Sequence, residues 1–458
     1  MSSSPHEETP ENFDSNALQE KKIVKVSTNP EQEKNSSSSG HAQQMKKNYL
    51  WNTLGSMMNA AASVLMLMAV TRAMGAYAGG IFSLAFAIAQ QLQVLGHFEI
   101  RPYQATDMRE RFSFGVYLST RIVTCLLMIA GVIAYATYSN GKSFEALLLI
   151  FIASLRLFDS CEDVFHGMFQ QRGRLDIAGK AFFFRGLATT VSFACAVMVT
   201  GDMLLACMLS FVASSVVMIA LNILPARSFV SLKPHFQWKS MTQLLITCAP
   251  LFAGSFLLAY LSNAPRYGIE EFMTKQFQTY YSIVFMPSLV INLLSGFVFK
   301  PLLTDLADRW SQGHKSAFLR IITKGFAVVA LASALTMAVA WPYGPELLSL
   351  IYSVDISSYR LELAVLIFGG LLNALGVILY YAIVTIRMQR FIVVGYGCAA
   401  LFALLATPSF IQRWGIMGAC ILYDSSMAVL AFVFLIATLW GLRRHAAHTH
   451  TPPADTHN

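Results

Sequence analysis

The sequence predicts an all-α membrane protein of about twelve transmembrane helices arranged as two six-helix lobes. Of its 458 residues 55% are hydrophobic and 13% charged, with a mean hydropathy of +0.53, whereas soluble domains carry about 25% charge. Nine stretches of twenty or more residues contain no Asp, Glu, Lys or Arg: 48–71, 73–98, 122–141, 203–226, 240–265, 276–299, 325–345, 363–386 and 391–412. Twenty residues of helix cross about 30 Å of hydrocarbon. Three further segments, about 143–167, 179–200 and 414–440, are long enough to span but carry charge. This pattern excludes a secreted enzyme, a nucleic-acid binder and a cytosolic dehydrogenase.

Residues 1–46 are rich in Ser, Glu, Asn, Lys and Gln, so a disordered cytoplasmic arm is expected. No apolar h-region with a small-residue cleavage site opens the sequence, so the first apolar helix is expected to remain as an anchor. The first lobe then occupies 47–226, a polar linker 227–239 and the second lobe 240–440. The stretch 441–458, with Arg443, Arg444 and spaced histidines, is expected to be a solvated cytoplasmic tail. Pro250, Pro287, Gly369, Gly370, Gly395 and Gly397 interrupt several spans. Membrane helices tolerate this where neighbours or cavity water satisfy the freed backbone.

The net charge of +8 is a topology signal. With the N-terminus inside, the cytoplasmic loops and tail hold 18 Lys and Arg and the outer loops hold 6, namely Arg72, Lys142, Arg266, Lys275, Arg360 and Arg413. Shifting the count by one helix destroys that asymmetry, so both termini are expected in the cytoplasm. The first helix ends Thr71-Arg72-Ala73-Met74-Gly75 and the seventh Ala264-Pro265-Arg266-Tyr267-Gly268, a weak internal echo of the kind transporter repeats leave. The seven cysteines lie in apolar segments without CxxC spacing or neighbouring histidines. No metal site and no cofactor are expected.

Three arginines remain within predicted helices: Arg121, Arg156 and Arg185. A guanidinium at the bilayer centre costs at least ~2.5 kcal/mol, so each needs a partner or a wet cavity. On the fourth span Arg156, Asp159, Asp163 and His166 recur on one helical face, with Glu162 beside them. Two arrangements follow. Arg156 pairs with Asp159 or Asp163 to lock helices while Arg121 and Arg185 snorkel to the headgroups, or the arginines line a cavity for an anionic headgroup, because guanidinium binds phosphate bidentately. Arg266 and Lys275, beside Glu270 and Glu271, are either an outer counterpart of that cavity or an exposed loop ion pair. Asp424 in the last span is either a protonatable coupling group or a locally hydrogen-bonded carboxylate beside Tyr423 and Ser425. Neither a Walker A loop nor GxSxG, HExxH or a dinucleotide fingerprint occurs, so no enzyme is expected.

Several runs resemble the Wzx-type polysaccharide flippases of the multidrug/oligosaccharidyl-lipid/polysaccharide (MOP) exporter superfamily. They are Lys46-Lys47-Asn48-Tyr49-Leu50-Trp51-Asn52-Thr53-Leu54-Gly55-Ser56, Arg101-Pro102-Tyr103-Gln104-Ala105-Thr106-Asp107, Asp163-Val164-Phe165-His166-Gly167 with Gln170 and Gly173-Arg174-Leu175-Asp176, and Ser262-Asn263-Ala264-Pro265-Arg266-Tyr267 with Phe285-Met286-Pro287. The resemblance covers about 46–440. It implies a MATE-like pair of six-helix lobes in a V and alternating access. The implied cargo is an undecaprenyl-diphosphate-linked oligosaccharide, flipped from the cytoplasmic to the outer leaflet of a bacterial plasma membrane. It carries over Asn263 and Arg266 as cargo-lining positions and Arg101–Asp107 as a cytoplasmic gate or structural loop, where Pro102 departs from the small or polar residue expected. The partners it implies are that lipid-linked glycan and the bilayer, and it allows a coupling ion and other polysaccharide-assembly proteins. An ion-coupled multidrug antiporter of the same fold is the alternative, for which acidic and aromatic residues are expected to dominate the cavity.

Overall fold

A computed structural model describes residues 30–138 and 144–448. The expectations for the first 29 residues, for Lys142 and for the tail beyond His448 fall outside the described residues. All regular structure among the described residues is helical. The first helix, α1 (Pro30–His97), begins inside the stretch expected to lack order. Pro30 at its start and Glu31 and Glu33 in its first turn suit a helix N-terminus, a local preference that composition over 46 residues hides. The chain divides into a unit ending at Lys47 and a second one beginning at Asn48; everything below concerns the second.

Within α1 the backbone leaves the helical region at Gly75, with φ 81° and ψ −177°. Only glycine holds this conformation cheaply, and beyond it the chain comes back beside itself: Gly79 packs on the Thr71 methyl. The last helix, α13 (Arg390–His448), repeats the device at Gly415, with φ 56° and ψ −130°, and Gly418 packs on the Phe410 carbonyl. Each of these long helices is therefore two spans.

Between them run α2 (Ile100–Thr106), α3 (Phe114–Tyr138), α4 (Phe144–Gln171), α5 (Leu175–Thr200), α6 (Met203–Met218) and α7 (Leu224–Ala226), the last two joined by a π-turn over Ile219–Ile223. The second half holds α8 (Trp238–Phe272), α9 (Lys275–Val284), α10 (Met286–Ser311), α11 (Lys315–Tyr352) and α12 (Arg360–Thr385). Eight helices in the described residues are long and apolar enough to span. Counting both limbs of α1 and α13, and adding the charged α4 and the broken α9–α10 pair, gives about twelve. The expected span 276–299 is interrupted at Phe285, just before Pro287, whose missing N–H and fixed φ suit a helix start.

Helices α2–α7 pack among themselves and α8–α13 among themselves, with α8 also touching α2 and α3. This is the two-lobed arrangement, and residues 227–237 run between α7 and α8. Small side chains set several crossings: Gly179 on α5 lies against the backbone of Trp51 and Asn52, and Gly167 on α4 against Gln104. Gln104 in turn donates to the Val164 carbonyl at 3.1 Å. Asn48 receives the Asp176 N–H at 2.9 Å and donates to the Gly173 carbonyl at 3.0 Å. The motif runs around 48, 101–107 and 163–176 thus meet one another at one end of the first lobe. Arg101 reaches Asp163 at 3.7 Å, and Asp107 accepts from the Arg111 N–H, the Phe112 N–H and the Tyr117 hydroxyl. The 101–107 segment is therefore knitted into the first lobe.

Candidate functional site

The carboxylates on the polar face of α4 are held by cations from neighbouring helices. Arg185, on α5, holds Glu162 with both ends of its guanidinium, Nε–Oε2 at 2.8 Å and NH2–Oε1 at 2.6 Å, and also contacts Asp159. Arg121, on α3, pairs with Asp163 at 2.6 Å and donates to the Gly96 carbonyl on α1. Asn222, in the π-turn, donates to Glu162 at 3.3 Å. Four helices and the turn converge here on three carboxylates. Arg121 and Arg185 neither snorkel nor face a large cavity: they lock helices together, as does Asp163. The physical reason is that an unpaired guanidinium at this depth costs more than the geometry of a forked ion pair.

Arg156 differs. It pairs with Asp159 at 2.9 Å and lies over the Phe86 ring, 4.1 Å from its centroid, yet its side chain keeps 13% exposure. That exposed edge lines a cavity of about 540 Å³ between the lobes. On the first-lobe side Asn59, Ser83, Gln90, Gln93 and His97 join it; on the second-lobe side stand Ser262, Asn263, Arg266 and Ser282, with Phe285 and Met286. A second space of about 40 Å³ lies behind Phe86, lined by Arg156, Asp159, Arg185 and Thr189.

Arg266 is inside the membrane-spanning helix rather than in a loop. Helix α8 continues through Pro265 to Phe272, so the expected loop ion pair falls to Lys275, which bridges Glu270 and Glu145, the latter at 2.9 Å. The Arg266 guanidinium donates to Asn263 Oδ1 at 3.0 Å and rests between the Tyr281 and Phe285 rings, 5.6 and 5.4 Å from their centroids. Asn263 is 1% exposed and anchored by its own donation to the Ala259 carbonyl. Among the described residues no carboxylate lies within ion-pair distance of Arg266, and none lines the cavity. The chamber thus has one guanidinium on each wall, that of Arg156 paired with Asp159, and neutral hydrogen-bonding groups between them.

Asp424 does not line this cavity. It is 9% exposed, and its Oδ1 has no hydrogen-bond partner among the described residues. Gly369 of α12 packs directly on it. The uncharged members of the site, Gln90, Gln93, His97 and Asn59, escape a search built on charge. For Gln90, Gln93 and His97 the signal in the sequence is three glutamines and a histidine within a charge-free second span, whereas Asn59 stands alone in the first; Gln93 donates to Asp159 at 3.1 Å and so ties α1 to the α4 network.

Comparison with solved structures recovers the architecture. An inward-facing multidrug resistance MATE family transporter of the MOP superfamily is similar with TM-score 0.64 and 12% identity, over 87% of this chain and 96% of that one. The chain has the MATE fold. An outward-facing MATE transporter of the same superfamily gives TM-score 0.56 at 13% identity, over 89% and 96% of the two chains. A MOP superfamily transporter from Pyrococcus furiosus, described as having a binding pocket of reverse polarity that suggests a different function, gives 0.54 at 13%, over 90% and 97%. No family model and no curated protein matches the sequence.

Proposed function

We propose that the protein flips an undecaprenyl-diphosphate-linked oligosaccharide from the cytoplasmic to the outer leaflet of a bacterial plasma membrane, by alternating access of two lobes whose termini are cytoplasmic. The observation that carries this is Arg266: a guanidinium in the inter-lobe cavity with no carboxylate partner among the described residues, with Arg156 on the opposite wall. Guanidinium forks match phosphate oxygens, and a diphosphate brings two such groups. Asn263 fixes the Arg266 fork, and Phe86 holds Arg156 by its ring face. The neutral amides and hydroxyls between the arginines suit sugar hydroxyls.

The fold alone accommodates an ion-coupled multidrug antiporter equally well. A cavity without Asp or Glu among the described residues favours an anionic cargo over a cationic drug, as reversed pocket polarity suggested a different function for the Pyrococcus furiosus transporter. Asp424 is the coupling group in this reading. A buried carboxylate oxygen without a donor is stabilised by taking up a proton or a cation, and Gly369 beside it makes its surroundings responsive to movement of α12 against α13.

The test is reconstitution. Vesicles containing the protein should translocate labelled undecaprenyl-diphosphate glycan, and Arg266→Ala and Arg156→Ala should each abolish it. Wild-type rates in both variants would defeat the assignment. Export of cationic dyes instead of the glycan would establish the antiporter.

A further inference from the structure

The ties between the lobes are unevenly distributed. At the end of the bundle holding the Gly75 turn, Lys275 binds Glu145 of the first lobe at 2.9 Å while also holding Glu270 of its own lobe. Thr279 donates to the Ala76 carbonyl at 2.6 Å. Arg72 donates through Nε and NH2 to the Ile351 and Leu350 carbonyls, at 2.7 and 3.0 Å. These are carbonyls that the end of α11 leaves without helical donors. Gly80 lies so near the Lys275 carbonyl that a Cβ there would collide with it. Lys275–Glu145 is the one ion pair between the lobes among the described residues. Across the seam elsewhere stand uncharged contacts such as the stacked Phe98 and Phe252 rings, 4.3 Å apart, and the Gln91 donation to the Phe256 carbonyl.

We infer that Lys275, Thr279 and Arg72 form a latch that closes the cavity toward the outer leaflet, with Lys275 as its releasable member. The inference rests on the proposed topology and alternating access, but not on the identity of the cargo. The shared lysine is what makes it releasable. When the lobes part, Lys275 keeps Glu270, so no cation is orphaned, and Glu145, 40% exposed, is free to take water. Arg72 likewise gives up neutral carbonyls at a helix end that water can satisfy. Such ties hold a closed state without trapping it, in contrast to the forked pairs of the first lobe.

The experiment uses the full chain in liposomes, with Cys195 and Cys398 replaced by serine and spin labels at Tyr138→Cys and Ser358→Cys. These positions lie at the same end, one on each lobe, and both are exposed. Double electron–electron resonance then reads the distance between the outer ends. Lys275→Ala should raise the ratio of long to short distances by roughly two- to fivefold, the worth of one partly exposed ion pair. Gly80→Ala, a steric wedge that leaves every charge in place, should raise it too, and the exchanged pair Glu145→Lys with Lys275→Glu should bring it back toward wild type. Unchanged distributions in both Lys275→Ala and Gly80→Ala overturn the latch. Because no cargo is present, a negative glycan-flipping result leaves this measurement intact, and the reverse also holds.

Discussion

Arg185 and Arg266 both sit at membrane depth, yet Arg185 is gripped by two carboxylates and Arg266 by none among the described residues. Truncating them should therefore give opposite phenotypes. Arg185→Ala leaves Glu162 buried without its cation, while Asp159 keeps Arg156, and should cost about 3–5 kcal/mol, visible as a large fall in melting temperature in detergent. Arg266→Ala strands no charge, only the Asn263 amide oxygen, and should cost about 1–2 kcal/mol, a much smaller fall in the melt while transport is lost. Equal melts for the two would refute the division into locking and receiving arginines. The sequence makes the polar stripe of α4 legible, because Arg156, Asp159, Asp163 and His166 repeat at helical spacing. It does not reveal which arginine faces water. That depends on how α3 and α5 rotate to meet the stripe, and their uncharged residues leave the rotation open. Arg266 reads as a loop residue for a related reason: a proline inside a membrane helix and a proline at its end look alike along the chain.

At the scale of elements, the two hairpin turns are the sharpest features of the backbone. Gly75 has open space around its missing Cβ, so Gly75→Ala should cost only the conformational penalty, about 1–3 kcal/mol. Gly415→Ala should cost a similar amount, since its Cβ would meet only the Met273 methyl at 3.4 Å. Denaturant unfolding in micelles measures both, and a neutral Gly75→Ala would mean that the turn relaxes. The turns were legible as single arginines, Arg72 and Arg413, punctuating long apolar runs. The break between α9 and α10 was half legible, through Pro287. The π-turn at Ile219–Ile223 was not, since nothing in an unbroken apolar run marks one extra residue per turn; its purpose becomes plain only when Asn222 is seen reaching Glu162.

For the whole molecule, the latch predicts a definite response to pH on the alkaline side. Burial alone would lower the pKa of the Lys275 ammonium, but hydrogen bonds and charge from Glu270 and Glu145 outweigh it and raise the value above that of an ordinary lysine. A cation with a raised pKa contributes fully below the unperturbed value of about 10.4 and is lost only as pH climbs through the raised one. The spin-label distances should therefore be the same at about pH 7 and about pH 9. An opening of the outer ends within that window would place the controlling group elsewhere.

The unequal wiring of the halves also bears on how such a chain tolerates recombination. Helices α2, α3 and α5 each hold one end of a charge pair whose other end is on α4, so grafting α3, α4 or α5 from a distant homologue would leave a bare ion in hydrocarbon. The second half has its ion pairs at the rims, where water can substitute for a missing partner. Chimeras swapped helix by helix should survive in that half and perish in the first, unless the first is exchanged as a single block.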